Sequence, residues 1–173
     1  MSFPQCVALI IGFILFLGLV VVLRKVLGGP GPLPYFSREF LLSRGESVFY
    51  HALRRALPGQ LMICPKVRLS DVINCSAEAW KAGFGGKISQ KHLDFVLADI
   101  DTTAIALVIE LDDRSHQRSD RAQRDVFVDR ALAAAGVPML RVVAAASYDV
   151  KALRAQLLER VKNFAPEREN VKT

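Results

Sequence analysis

Residues 104–111 read AIALVIEL, apolar at every position except Glu110. A β-branched run of this kind fits a strand covered on both faces, so it demands structure above and below it. Residues 92–98, HLDFVLA, read as a second strand, and the polar DIDTT of residues 99–103 supplies a turn. The pair is therefore expected as a β-hairpin. Three carboxylates, Asp94, Glu110 and Asp112, stand at strand positions in this stretch. Burying a carboxylate without a partner is costly. Acids at the ends of such strands therefore point to a bound cation or a reaction, or else to ion pairs at the surface.

The flanking sequence supplies the covering layers. Residues 38–57 carry Phe40, Leu41, Phe49, Leu53 and Leu57 at helical spacing, with Pro58 and Gly59 as a stop. Ser43 followed three residues later by Glu46 fits a capping box, which places the start of the main helix at Ser43 and gives Glu46 a capping role. Residues 60–69 read as a strand whose Pro65 calls for an edge position or a bulge. Residues 70–86 mix weak helix signals with glycines, and Trp80 and Phe84 are expected to cover one end of the core. Residues 118–135 form a helix with Val126, Phe127, Ala131, Leu132 and Ala135 on its apolar face. Gly136 is placed for a left-handed stop. A strand over 137–143 then arrives by a short loop, as in a parallel crossover. Residues 147–164 close the domain as a helix turning Val150, Leu153, Leu157, Leu158 and Val161 inward. The order is helix, three strands, helix, strand, helix: an α/β (mixed α+β) domain with a mixed sheet flanked by helices.

Ahead of this domain, residues 7–23 (VALIIGFILFLGLVVVL) hold no charge. The run reaches the length needed to cross a hydrocarbon core about 30 Å thick. No basic residue precedes it, no small-residue cleavage site stands before Pro30, and Arg24-Lys25 follow directly. The pattern is that of an uncleaved N-terminal transmembrane helix, with the following domain on the cytoplasmic side. The expected organisation is an anchor over 1–27, a Gly/Pro linker over 28–34, a domain over 35–164 and a disordered tail over 165–173. The net charge of +6 and isoelectric point near 9.5 favour nucleic acid or anionic headgroups as neighbours. Cys6, Cys64 and Cys75 have no zinc-ligand spacing and read as free thiols.

Side chains alternate along a strand, so Glu110 and Asp112 share a face, and a hairpin brings Asp94 toward them. Such an oxygen-rich set suits Mg²⁺ or Mn²⁺, with Asp94, Glu110 and Asp112 as metal ligands. The helix–strand order, with Asp94 as first acid and Glu110 as second, resembles the αβββαβ core of the PD-(D/E)xK, restriction-endonuclease-like superfamily. The blocks KHLDFVL, VIELDDRSH, QRD and AGVPMLRV, within residues 36–161, look like the bacterial family called domain of unknown function 2726. The E-x-D-x-x-x-H arrangement is also similar to the very-short-patch-repair endonuclease branch.

The resemblance implies metal-dependent phosphodiester hydrolysis with nucleic acid as partner, and the apolar span would hold it at the bacterial inner membrane. It also exposes a departure, because Asp112 stands where the superfamily has its catalytic lysine. Lys91 or His116 would then supply the cation or proton acceptor, with Glu46 and Arg124 as accessory residues. Arg114, Arg118, Arg121 and Arg124 either meet the phosphate backbone or pair along a helix with Asp120 and Asp125. Two functions compete: a membrane-anchored nuclease, and a catalytically inactive nuclease-fold module that binds nucleic acid or protein.

Overall fold

The computed structural model describes residues 3–27, 32–112 and 119–165. The chain divides into two units, Met1–Glu39 and Phe40–Thr173. In the first, helix α1 (Phe3–Leu27) has 25 residues and carries Arg24 and Lys25 in its last turn. It is long and apolar enough to cross a membrane.

The second unit is a four-stranded sheet with helices on both faces. Helix α2 (Arg44–Ala56) starts as the sequence predicts. The Ser43 hydroxyl accepts from the Glu46 amide, and the Glu46 carboxylate accepts from the Ser43 amide at 2.8 Å. Its buried face is Phe49, Ala52, Leu53 and Ala56. Phe40 and Leu41, expected on that face, precede the helix and are exposed. The cap at Ser43 stops the helical phase before it reaches them.

Strands β1 (Leu61–Arg68), β2 (His92–Asp99), β3 (Ile105–Asp112) and β4 (Met139–Val143) lie in the order β1-β2-β3-β4. The first two neighbours pair antiparallel, and β3 pairs with β4 in parallel. The hairpin, the edge position of the Pro65 strand and the parallel crossover are as expected. In the β2–β3 turn, Asp99 accepts from the Asp101 and Thr102 amides and from the Thr102 hydroxyl.

Two apolar layers meet the sheet. Phe95, Leu97, Leu107 and Ile109 pack with Phe49 and Leu53 of α2 and with Leu153 and Leu157 of α6 (Val150–Val161). On the other side, Val96 and Val108 pack with Val128 and Leu132 of α5 (Ser119–Ala134). Strand β3 is thus covered on both faces, as its composition requires. Gly136 ends the α5 turn at φ 70°, the left-handed conformation that glycine adopts freely.

The inward faces differ in detail from the periodicity. On α5, Val128 and Leu132 are buried while Val126 is exposed, and on α6 Leu158 is exposed. Each helix buries a narrow i, i+4 stripe, and the flanking apolar residues fall outside it. Between β1 and β2 the chain forms a 3-10 turn (Leu69–Asp71), α3 (Ala77–Lys81) and α4 (Phe84–Ser89). Trp80 and Phe84 do not cap the core. They are exposed, and Leu69 and Ile88 close that end instead.

Candidate functional site

The sheet opens where the acids stand. Strand β2 pairs with β1 from Leu61↔Asp99 to Arg68↔His92, with a gap in the register at Lys66 and Asp94. Strand β3 pairs with β4 as far as Asp112↔Val143. The pairing between β2 and β3, however, ends at Phe95↔Ile109. Beyond it the Leu111 amide donates to Asp94 Oδ2 at 2.9 Å, so a carboxylate takes the place of a ladder carbonyl. Continuing the register by one residue sets Asp94 across from Glu110, and Glu110 is in turn paired with Arg141 on β4. Glu110 is half-buried, with its Oε1 withdrawn from solvent.

Strand β1 contributes a lysine to the same row. Pro65 cannot donate to the ladder, and Lys66 next to it adopts φ 58°, a left-handed conformation unusual for a residue with a side chain. Alternation slips here on both strands. Cys64 and Val67, three apart, pack in one cluster, as do Leu93 and Val96. The slip falls at Lys66 and Asp94. The Lys66 ammonium donates to Glu46 Oε1 and lies 3.6 Å from Asp94 Oδ1. Holding a non-glycine residue left-handed costs on the order of 1–3 kcal/mol, and such strain gathers at functional sites.

Glu46 is shared between two tasks, since one oxygen takes the Ser43 amide and the other takes Lys66. Partial burial opposes its ionisation, but the bonds from Lys66 and Ser43 outweigh that and hold the carboxyl below the usual glutamate range. A depressed carboxylate stabilises the fold above its unfolded value, near 4.3, and loses that contribution as pH falls through the folded value. The stability gap between the wild type and Glu46→Gln is therefore expected to be full at neutral pH and to close on acidification below about pH 4. Urea midpoints measured from pH 7 down to pH 3 check this, and a gap that widens in acid would refute it.

The other expected site residues are distributed differently. Lys91 places its ammonium 5.2 Å from the centroid of the Phe127 ring on α5, so its cation is engaged there and Lys66 is the lysine beside Asp94. Asp112 is exposed at the end of β3. Among the described residues no group of three or more His, Cys, Asp or Glu side chains could hold a metal ion, so Asp94, Glu110 and Asp112 do not form a three-acid cage. His116, Arg114 and Arg118 lie outside the described residues, as do the side chains of Arg121 and Arg124.

Two members of the row were not legible as site residues. Arg141 ion-pairs with Asp129 of α5 at 2.6 Å and sits in register with Glu110. Lys66 carried one hint: the proline before it announced a break in the ladder without saying where the next side chain would go.

The row as a whole reads Lys66, Asp94, Glu110, Arg141, with Glu46 bonded to its first member. Two carboxylates and two cations thus occupy neighbouring register positions across the four strands. No curated protein and no solved structure matches the chain. Residues 38–161, which include every member of the row, match the family described as protein of unknown function DUF2726. The chain belongs to the DUF2726 family.

Proposed function

We propose that the second unit is a divalent-metal-dependent nuclease of the PD-(D/E)xK superfamily, held at the bacterial inner membrane by α1 with its domain on the cytoplasmic side. The observation that carries this reading is the parting of β2 and β3 at Asp94 and Glu110, with the left-handed Lys66 reaching Asp94. Strained backbone, partly buried acids and a lysine in one row exceed what sheet stability needs. The basic charge of the chain suits a polyanionic substrate, and Arg24 and Lys25 suit the cytoplasmic end of the span.

Asp94 and Glu110 would hold one Mg²⁺ or Mn²⁺, which suits the donor set, because Mg²⁺ commonly takes one or two carboxylates and completes its shell with waters and phosphate oxygens. When bound, the ion would lower the pKa of a coordinated water and offset charge on the phosphate. Lys66 takes the part that Asp112 cannot. Its ammonium, beside Asp94, can hold the attacking water and neutralise charge developing on a non-bridging oxygen. Water adds to phosphorus and gives up a proton to solvent, the ester P–O bond breaks, and the leaving oxygen takes a proton from solvent. Glu46 fixes the position of Lys66. Arg141, steadied by Asp129, offers guanidinium donors to a phosphate beside Glu110.

The test is nicking of supercoiled plasmid and of single-stranded oligonucleotides by the full chain in detergent, with Mg²⁺ or Mn²⁺. Cleavage is expected with either metal, and Glu110→Ala and Asp94→Asn are expected to lower it by at least about 100-fold. Asparagine retains an acceptor for the Leu111 amide, so Asp94→Asn separates charge from architecture. Cleavage untouched by either substitution sinks the assigned site. Absence of cleavage together with metal-independent nucleic-acid binding returns the domain to the inactive-module reading.

A further inference from the structure

The connection between β1 and β2 carries a feature that neither the core nor the carboxylate row uses. Trp80, the chain's single tryptophan, is 47% exposed, and Phe84 is 51% exposed. These two large aromatics, four residues apart, are left in water, and exposed apolar surface of this kind marks interaction sites. The indole is nevertheless held in place. Gly85 is buried beneath it, and a Cβ at that position would overlap the indole ring. Phe84 is matched by a cation, with Lys87 Nζ 5.1 Å from its ring centroid. Lys81 follows Trp80 directly and is exposed. Lys81 and Lys87 outnumber Glu78, the carboxylate of these two short helices, which sits in the first turn of α3.

The topology sets this surface at a particular end of the sheet. Strand β1 ends at Arg68 and β2 begins at His92, so the connection leaves and rejoins the sheet at one end. Because β2 and β3 are antiparallel, β3 finishes with Glu110 and Asp112 at that same end. Lys66 and Asp94 lie there too.

We infer that α3 and α4 form a stacking platform for the unpaired bases of a single-stranded nucleic acid, with Trp80 and Phe84 against base faces and Lys81 and Lys87 toward phosphates. This rests on the nuclease reading for its biological sense and narrows the substrate to strands with accessible bases. Every base offers a π-face, so stacking on a fixed indole is tolerant of sequence, and the lysines add a salt-dependent attraction. A base pair within a duplex has its faces covered by its neighbours and cannot use the platform without being unstacked.

The single tryptophan makes the test direct. Full-length protein in detergent, with chelator and no divalent metal, is titrated with oligothymidylate of about 16 nucleotides while Trp80 emission is followed. Saturable quenching that weakens as salt rises is expected. Anisotropy of a labelled oligothymidylate then compares variants whose circular dichroism matches the wild type. Trp80→Ala and Gly85→Ala are expected to weaken binding about tenfold or more, and Trp80→Phe to retain most of it. Quenching without metal-dependent cleavage supports the platform while removing the nuclease reading. The platform is overturned by absent quenching, by equal quenching with a blunt duplex, or by unchanged affinity in Trp80→Ala. It is likewise overturned if anionic vesicles shift Trp80 emission and oligothymidylate cannot reverse the shift, which would make the surface a membrane contact.

Discussion

Replacing Phe95 by alanine is expected to lower the unfolding free energy of the second unit by about 3–5 kcal/mol. Its side chain is fully buried, with ring centroids 5.4 Å from Phe49 and 6.4 Å from Tyr50 of α2. Phe49 in turn meets Tyr148, just before α6, at 5.1 Å. Deleting the Phe95 ring thus removes a large part of the contact between β2 and α2 and leaves a cavity that a sheet and a capped helix close only in part. Against a total of about 5–15 kcal/mol for an ordinary domain, that loss takes much of the margin. The check is a shift of the urea midpoint at unchanged slope, read by circular dichroism, with Phe95→Leu expected to lie between alanine and the wild type. Because Phe95 follows Asp94 and forms the last pair with β3, cleavage is expected to fall with it. A midpoint within experimental scatter of the wild type would contradict the assignment of Phe95 to the centre of the core.

The second large effect is expected at Lys66. Removing its ammonium by Lys66→Ala is expected to lower the proposed cleavage by about 100- to 1,000-fold, the scale seen for loss of one preorganised donor to a developing oxyanion. The loss should appear in kcat, with KM little changed. Stability is expected to respond far less. Lys66 is about a third exposed, and a pair of that kind contributes roughly 1 kcal/mol or less. Lys66→Gly separates the two contributions further. It removes the same charge but relieves the left-handed backbone, so it is expected to be at least as stable as Lys66→Ala and equally inactive. Comparable cleavage by Lys66→Ala and the wild type would reduce Lys66 to a structural partner of Glu46.

Much of the scaffold is legible locally. The AIALVIEL run implies a strand covered twice, and β3 lies between two apolar layers. Ser43 and Glu46 announce a capped helix start through a short-range hydrogen-bond pattern, and Gly136 announces a left-handed stop. These signals lie within a few residues of one another, where covalent geometry and hydrogen bonding leave few choices. Trp80 and Phe84 show where composition misleads. Their size suggested core, yet the chain between β1 and β2 breaks into pieces too short to bury both, and Leu69 and Ile88 fill the space.

The candidate site divides the same way. Asp94 and Glu110 stand out in the sequence because acids are unusual in apolar strands, and the register sets them across from one another. The three-acid metal set was a different matter, because it depended on where strand ends go after pairing stops. The choice of lysine was also nonlocal. Lys91 is nearer to Asp94 in sequence, but its ammonium rests on Phe127, while Lys66 reaches Asp94 from another strand. By itself the sequence determined the family, the apolar N-terminal helix, the order of strands and helices, and the two acids, all of which follow from local pattern and composition. Only the tertiary structure decided that β2 and β3 part at those acids and that a strained lysine from β1, secured by the cap of α2, stands beside them. Strand pairing brings together residues far apart in the chain, and a one-residue slip in alternation redirects a side chain without leaving a mark in the pattern of apolar residues.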